Sequence, residues 1–230
     1  MKLALVGYGK MGKMMDSLAA QYDFEVVLRL DEFNNVDGAG MTKENFAGVD
    51  AAIEFTMPEA AIGNVETLAS LGVNTVVGTT GWFAHLDRAR AAVAKAGTGF
   101  VYASNFSVGV NIFERVVAET AKLMAKQDTY EAWAWEIHHS AKKDAPSGTL
   151  LTLVEAMRKA GYDRNIDQSA SRAGAHPGTH EIGFDSAADT ITLRHAARSR
   201  EGFARGALQA ARWVVGKQGF YEFRDVLFGN

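Results

Sequence analysis

Between residues 1 and 103, short apolar runs alternate with longer stretches whose apolar positions recur at helical spacing. The runs at 2–6, 24–30, 51–55, 73–77 and 99–103 predict strands, and the stretches at 10–21, 58–71 and 83–95 predict helices. A strand, helix, strand rhythm needs crossover connections, which are right-handed and give parallel pairing. A doubly wound α/β sheet follows, with ligands expected at the carboxyl ends of its strands.

The pattern changes past Asn105. Residues 107–126 read as a helix with apolar Val110, Phe113, Val117 and Leu123, and residues 130–138 as a strand with Trp133, Trp135 and Ile137 on one face. Ser147 stands as the N-cap of a further helix whose apolar stripe is Leu150, Leu151, Val154 and Met157. Strands at 179–184 and 190–196 flank a polar loop of hairpin length. A helix at 204–215 and an apolar tail at 219–227, suited to docking on the first domain, complete the chain. The expected organisation is an N-terminal doubly wound domain of residues 1–106 plus 204–230. Residues 107–203 then form a second α+β domain, with helices on a mostly antiparallel or mixed sheet, for substrate binding and oligomerisation.

Composition narrows the function classes. With 47% hydrophobic and 22% charged residues, the whole chain is expected to fold. A net charge of -3 provides no general basic face for nucleic acid or an anionic membrane. The absence of cysteine removes disulfides, thiolate metal sites and cysteine nucleophiles, including dehydrogenase chemistry through a covalent thiohemiacetal. There is no signal-peptide pattern and no run of about 18 apolar residues to cross a membrane, so a cytoplasmic protein is expected. No metal site is expected.

Gly7-Tyr8-Gly9-Lys10-Met11-Gly12 fits the dinucleotide fingerprint between a strand and a helix. The first glycine permits the turn, the second admits the pyrophosphate, and the third lets helix pack on strand, while the helix N-terminus favours an anion. Asp31, at the end of the second run, stands where an acid holds the adenine ribose hydroxyls, although Glu32 beside it is an alternative. No arginine follows to hold a 2'-phosphate, but Lys10 and Arg29 could supply positive charge there. NADH is therefore the expected reductant, with NADPH also accepted. Phe55 and Thr56 after the third strand, and Gly78, Thr79 and Thr80 after the fourth, suit the nicotinamide half, which needs hydrogen bonds and little bulk.

The stretch from Glu136 to Thr149 concentrates chemistry, with His138 and His139, Lys142 and Lys143, and then Ser147-Gly148-Thr149 at a helix start. On a strand, adjacent histidines point to opposite sides, so His138 and His139 should differ in task. Histidine exchanges protons near neutrality, a lysine binds carboxylate or donates a proton, and a helix N-terminus accepts an anion. An anionic substrate is implied.

This segment resembles the E-x-H-H-x-x-K-x-D-A-P-S-G-T motif of the dihydrodipicolinate reductases, properly 4-hydroxy-tetrahydrodipicolinate reductases, of lysine and diaminopimelate biosynthesis. The likeness extends to Phe55-Thr56-Met57-Pro58-Glu59, Gly78-Thr79-Thr80-Gly81, Ser104 to Asn111, His195 to Arg200, Phe203 to Leu208 and the C-terminal tail. It implies His138 as proton donor and acceptor, Lys142 as a proton donor, and His139, Gly148 and Thr149 as ligands of a dicarboxylate. On the cofactor side it implies Gly7 to Gly12, Asp31, Gly78 to Thr80 and the segment Ala103, Ser104, Asn105 and Phe106 as contacts for NADH or NADPH. The implied reaction is hydride transfer to an unsaturated six-membered ring with ring protonation.

Two departures stand out. The glycine loop is one residue shorter than the family's usual spacing, and the chain is shorter by some tens of residues, partly around 172–189. In the family that region helps build the sheet through which subunits form a tetramer, so a homo-oligomer, tetramer or dimer, is expected. Another amino-acid dehydrogenase such as a diaminopimelate dehydrogenase would share the glycine loop but has no need of His138 and Lys142. A non-catalytic dinucleotide sensor would need neither.

Overall fold

The computed structural model describes residues 1–229, which separate into two compact units: Met1–Val108 with Glu201 onward, and Gly109–Arg200. In the first unit, β1 (Lys2–Val6), β2 (Glu25–Leu30), β3 (Ala51–Glu54), β4 (Asn74–Val77), β5 (Gly99–Tyr102) and β10 (Gly219–Glu222) form one parallel sheet in the order β10-β5-β4-β3-β1-β2. β3, β4 and β5 are buried along their length apart from a half-buried Asn74, as strands covered on both faces must be. The order reverses between β1 and β3, so the loop after β1 opens at the switch point of the sheet.

Helices α1 (Lys10–Leu18), α2 (Pro58–Ser70), α3 (Leu86–Ala96) and α6 (Glu201–Val214) clothe this sheet. The helix expected at 10–21 passes at Ala19 into a tighter turn that ends on Asp23 in a left-handed conformation, and the helix expected at 204–215 begins earlier, at Glu201. α6 buries Ala204, Gly206, Ala207, Leu208, Ala210, Ala211 and Val214, so small residues bring its backbone close to the core. A Cβ at Gly206 would lie 1.7 Å from the Phe106 carbonyl oxygen, which leaves glycine as the residue that fits. The tail does dock on this unit, as a sixth strand: β10 pairs with β5 and leads into the short α7 (Phe223–Phe228).

In the second unit, α4 (Val108–Met124) and α5 (Gly148–Lys159) lie on one face of a sheet ordered β7-β6-β8-β9. β6 (Glu131–His138) pairs parallel with β7 (Ile166–Arg172) and antiparallel with β8 (Thr179–Asp185), which in turn pairs with β9 (Thr190–Ala196). The sheet is therefore mixed. β7 is not expected from the sequence, because IDQSASR has no apolar alternation and buries fully only Ile166.

The tryptophan face of β6 is not the one that packs under the helices. Ala132 and Ala134 face α4 and α5 with Ile182 and Phe184, while Trp133, Trp135 and Ile137 stay half-buried on the opposite face. The alanines let two helices approach, and the indoles lie on the sheet itself. A Cβ at Gly183 would fall 2.1 Å from the Trp133 ring, and Trp135 Nε1 donates to Ser171 Oγ at 3.1 Å. Leu123 and Leu151, expected in apolar stripes, are likewise exposed; Met124 and Leu153 take those places.

Candidate active site

The turn after β1 has the geometry its glycines predict. Gly7 has φ +101, and a Cβ there would lie 2.1 Å from the Phe55 carbonyl oxygen; its N–H and that of Tyr8 both donate to the Leu30 carbonyl at 2.9 Å. A Cβ on Gly12 would sit 2.4 Å from the Gly7 carbonyl oxygen, so the third glycine lets α1 close onto the turn. Around Gly9, the N-cap of α1, a Cβ would meet nothing within 4 Å. One glycine bends the chain, one permits close packing, and the middle one leaves a cradle of backbone at a helix N-terminus that fits a pyrophosphate. Lys10 and Met11 open α1 beside it, Lys10 exposed and Met11 half-buried.

Around the end of β2, two acids are fixed by hydrogen bonds. Asp31 Oδ1 accepts the N–H of Phe33 at 2.9 Å and of Asn34 at 3.1 Å, closing a tight turn at the end of β2. Arg29 is committed elsewhere, with Nε and Nη2 donating to Asp16 at 2.6 and 2.8 Å, and the Tyr8 hydroxyl donates to the same carboxylate. That pairing holds the Asp16 carboxyl below its usual range, chiefly through Arg29.

The loops after β3 and β4, expected to face the nicotinamide, are tied together. The Thr56 N–H donates to Thr79 Oγ1 at 2.8 Å, and the Phe55 ring lies where a Cβ on Gly78 would be, 1.8 Å from its nearest ring carbon. Below them sits Glu54, fully buried, taking Asn64 Nδ2 at 3.2 Å together with the Thr56 N–H and hydroxyl. Burial pushes its carboxyl up against those donors. Thr80 is exposed, Ala103 and Asn105 are half-buried, and Ser104 is exposed. The Phe106 ring is buried against Phe223 at 4.9 Å, so its side chain belongs to the core and only its backbone is left to meet a ligand.

In the second unit the centre is Glu136, to which the sequence assigns no separate role. It is fully buried and lies on the same face of β6 as His138, two residues on. Oε1 accepts the Ser147 N–H at 2.8 Å and Arg172 Nη2 at 2.8 Å; Oε2 accepts the Ser147 hydroxyl, with His180 Nε2 at 3.3 Å. His138 Nδ1 stands 3.5 Å from Oε2, and the two imidazoles meet edge to face at 5.1 Å. Burial pushes the Glu136 carboxyl up, but Ser147 and Arg172 outweigh it and leave it below the usual carboxylate range. Burial drives both histidines down, His180 to about 4, while the Glu136 charge opposes this at each.

Glu136, His138 and His180 present three ligand-type atoms within 4.8 Å of one another, as a metal site would. The carboxylate is already filled by two donors from Ser147 and by a guanidinium, and that positive charge opposes a further cation. The cluster fits proton handling better than metal binding.

Ser147 caps α5, its Oγ accepting the Leu150 N–H at 3.2 Å, and so presents the Gly148 and Thr149 backbone at the helix start. Gly148 is exposed and Thr149 half-buried. Lys142, expected at the reacting ring, here pairs with Asp144 at 2.8 Å, and this holds the Asp144 carboxyl low. His139 is half-buried on the other side of the chain from His138, and its carbonyl accepts the Lys142 N–H at 3.1 Å. Arg172 and His180 escape sequence reasoning for different reasons. Arg172 ends a polar strand with no periodic signal, whereas His180 is the register partner of Glu136 and so shares its face.

A parallel nucleotide-type sheet with an anion cradle at its switch point, and a second unit bearing a buried histidine cluster beside a helix N-terminus, define a pyridine-nucleotide-dependent oxidoreductase. Comparison with known proteins makes this specific. The family described as dihydrodipicolinate reductase matches residues 1–106 through its N-terminal part and 109–227 through its C-terminal part. The chain belongs to that family. A 4-hydroxy-tetrahydrodipicolinate reductase of Christiangramia forsetii is 35% identical over 238 residues, covering 99% of this chain and 98% of the relative. The protein of the same name from Archaeoglobus fulgidus is 35% identical over 264 residues, covering 99% of this chain and all of the relative (100%). In three dimensions, a dipicolinate-bound dihydrodipicolinate reductase from Paenisporosarcina sp. TG-14 shares the fold with TM-score 0.82 at 19% identity, over 98% of each chain.

Gly178 immediately precedes β8 with φ +139, and a Cβ there would lie 2.9 Å from His138 Nε2. Gly178→Ala is expected to displace the imidazole and lower turnover by about 10- to 100-fold, with the thermal melt showing a folded protein. Unchanged turnover would mean that the His138 position is not needed.

Proposed function

We propose that this chain reduces 4-hydroxy-tetrahydrodipicolinate to tetrahydrodipicolinate with NADH or NADPH, in the cytoplasm, within lysine and diaminopimelate biosynthesis. The observation that carries the reading is the coincidence, in a chain of this family, of an open Gly9 cradle with the Glu136, His138 and Ser147 cluster. The nicotinamide cofactor supplies hydride when bound. Gly7 to Gly12 hold its pyrophosphate, Asp31 its adenine ribose, and the linked Phe55-Thr56 and Gly78-Thr79-Thr80 loops its nicotinamide end, with Ala103 to Phe106 contributing backbone.

The Gly148 and Thr149 N–H groups receive one substrate carboxylate at the start of α5, where the helix dipole favours negative charge. His139 adds a second contact to the dicarboxylate. Lys142 leaves Asp144 for the substrate and offsets charge as it develops on the ring, and His138 passes a proton to the ring. The 4-hydroxyl of the substrate leaves as water to give the unsaturated dihydro ring; hydride addition to that ring then needs this proton, because the displaced electron pair must end in a C–H bond.

The direct test supplies purified protein with the condensation product of pyruvate and aspartate semialdehyde and follows loss of reduced-nicotinamide absorbance. Oxidation that depends on this substrate supports the reading, and none with either cofactor overturns it.

NADH is the favoured reductant. Asp31 puts a carboxylate where NADPH carries its 2'-phosphate, and the Arg29 charge is spent on Asp16. Replacing the acid, Asp31→Ser, should raise the NADPH to NADH ratio of kcat/KM by about 10-fold, since roughly 1.4 kcal/mol of repulsion corresponds to tenfold. An unchanged ratio would remove Asp31 from cofactor selection.

The chain assembles as a homo-oligomer through the Trp133, Trp135 and Ile137 face, an apolar strip on β6 in a sheet whose edge strand β9 is mostly exposed. Sedimentation should give a dimer or tetramer for the native chain and a smaller species for Trp135→Arg, because a buried unpaired charge is costly at an interface. A monomer in both would contradict this assignment.

A further inference from the structure

Glu136 joins two parts of the second unit that the sequence presents as separate motifs, a histidine strand and a capped turn. Its Oε1 holds the Ser147 backbone and the Arg172 guanidinium; its Oε2 holds the Ser147 hydroxyl and faces both imidazoles. His180 Nε2 is 3.3 Å from both Glu136 Oε2 and Ser147 Oγ, so a neutral ring protonated at Nε2 donates into the pair. His138 Nδ1 is buried and takes no hydrogen bond from the described residues, although it stands 3.5 Å from the same oxygen. A small rotation of that ring, or its protonation at Nδ1, would complete a hydrogen bond to a carboxylate that is already charged and fixed.

We propose that Glu136 and His180 are positioning residues for the reductase reaction, a role that rests on the function proposed above. The single fixed carboxylate orients the His138 imidazole on one side and the Ser147-Gly148-Thr149 turn on the other, and His180 locks that carboxylate in place, so substrate seating and proton delivery share one support. Ser147, and then Arg172 at 2.8 Å, keep Glu136 ionised in a buried setting where an unpaired carboxylate would take up a proton. The charges facing His138 are Glu136 on its own strand, Lys142 and Asp144 on the following loop, and Arg172 on β7, with His180 on β8 against its ring. Of these, Lys142 and Arg172 act against its protonation, and Glu136 is the principal group that favours it.

Wild-type activity is measured first, because its absence would fail the functional reading separately from the positioning role. In an active background, Glu136→Gln should lower kcat by about 10-fold or more and raise the KM for the dicarboxylate, with the KM for NADH unchanged. The sign of the pH effect follows from the charge removed. A proton-donating His138 is lost as pH rises through its pKa, and without the carboxylate that pKa falls, so the alkaline limb of kcat/KM should move to lower pH.

If Glu136→Gln does not fold, the His180 pair decides. His180→Leu should lower kcat and shift the same limb, while His180→Gln, which keeps an amide donor at the same reach, should restore most of the activity. A folded Glu136→Gln protein with an unmoved limb and an unchanged dicarboxylate KM would overturn the inference. Equal activity of His180→Leu and His180→Gln would do so too, as would wild-type activity that is lost to a chelator and restored by zinc.

Discussion

A buried carboxylate must be neutralised or bonded, and in the second unit that requirement organises a sheet, a helix cap and a buried histidine pair together. Glu136 cannot sit unexposed on β6 without donors. Ser147 supplies two from the start of α5 and Arg172 a third from the end of β7, which ties an edge strand and a helix N-terminus to the central strand. Once the carboxylate is fixed, the histidine two residues along β6 and its neighbour on β8 are placed by the pleat, not by loops. The group proposed to handle the proton and the turn proposed to bind the anion are consequently held by the same few bonds.

The first unit is built by different means, because the contacts proposed for its cofactor are mostly backbone. Its precision comes from what side chains are missing. Gly7, Gly12 and Gly78 are places where another chain segment already occupies the space of a Cβ, and Gly9 is one where nothing does. Buried Glu54 takes donors from Thr56 and Asn64, and Thr56 also donates to Thr79, so the backbone proposed to receive the nicotinamide end rests on a bonded layer beneath.

Where the chain carries strong periodicity, its structure is legible directly. The alternation of apolar runs and amphipathic stretches in the first hundred or so residues translates into a parallel sheet because buried parallel strands leave that mark. β7 is not legible, since an edge strand with mostly exposed polar residues needs only its neighbour's backbone. The packing face of β6 misleads in another way. Alanine carries little hydrophobic signal yet marks the side where helices come close, whereas the large indoles lie outward over Gly183 and near Ser171. In the site, His138, Lys142 and the Ser147 turn stand out by residue type. Arg172 and His180 enter only through strand register, and Arg29 is paired to Asp16 by an ion pair that no linear motif reveals.

The most direct measurement is a crystal structure of the chain with pyridine-2,6-dicarboxylate. One ligand carboxylate is predicted on the Gly148 and Thr149 N–H groups, with Ser147 and Arg172 still on Glu136 and His138 facing the ring. A ligand bound away from the α5 N-terminus, or bound there with Ser147 released from Glu136, would contradict the account.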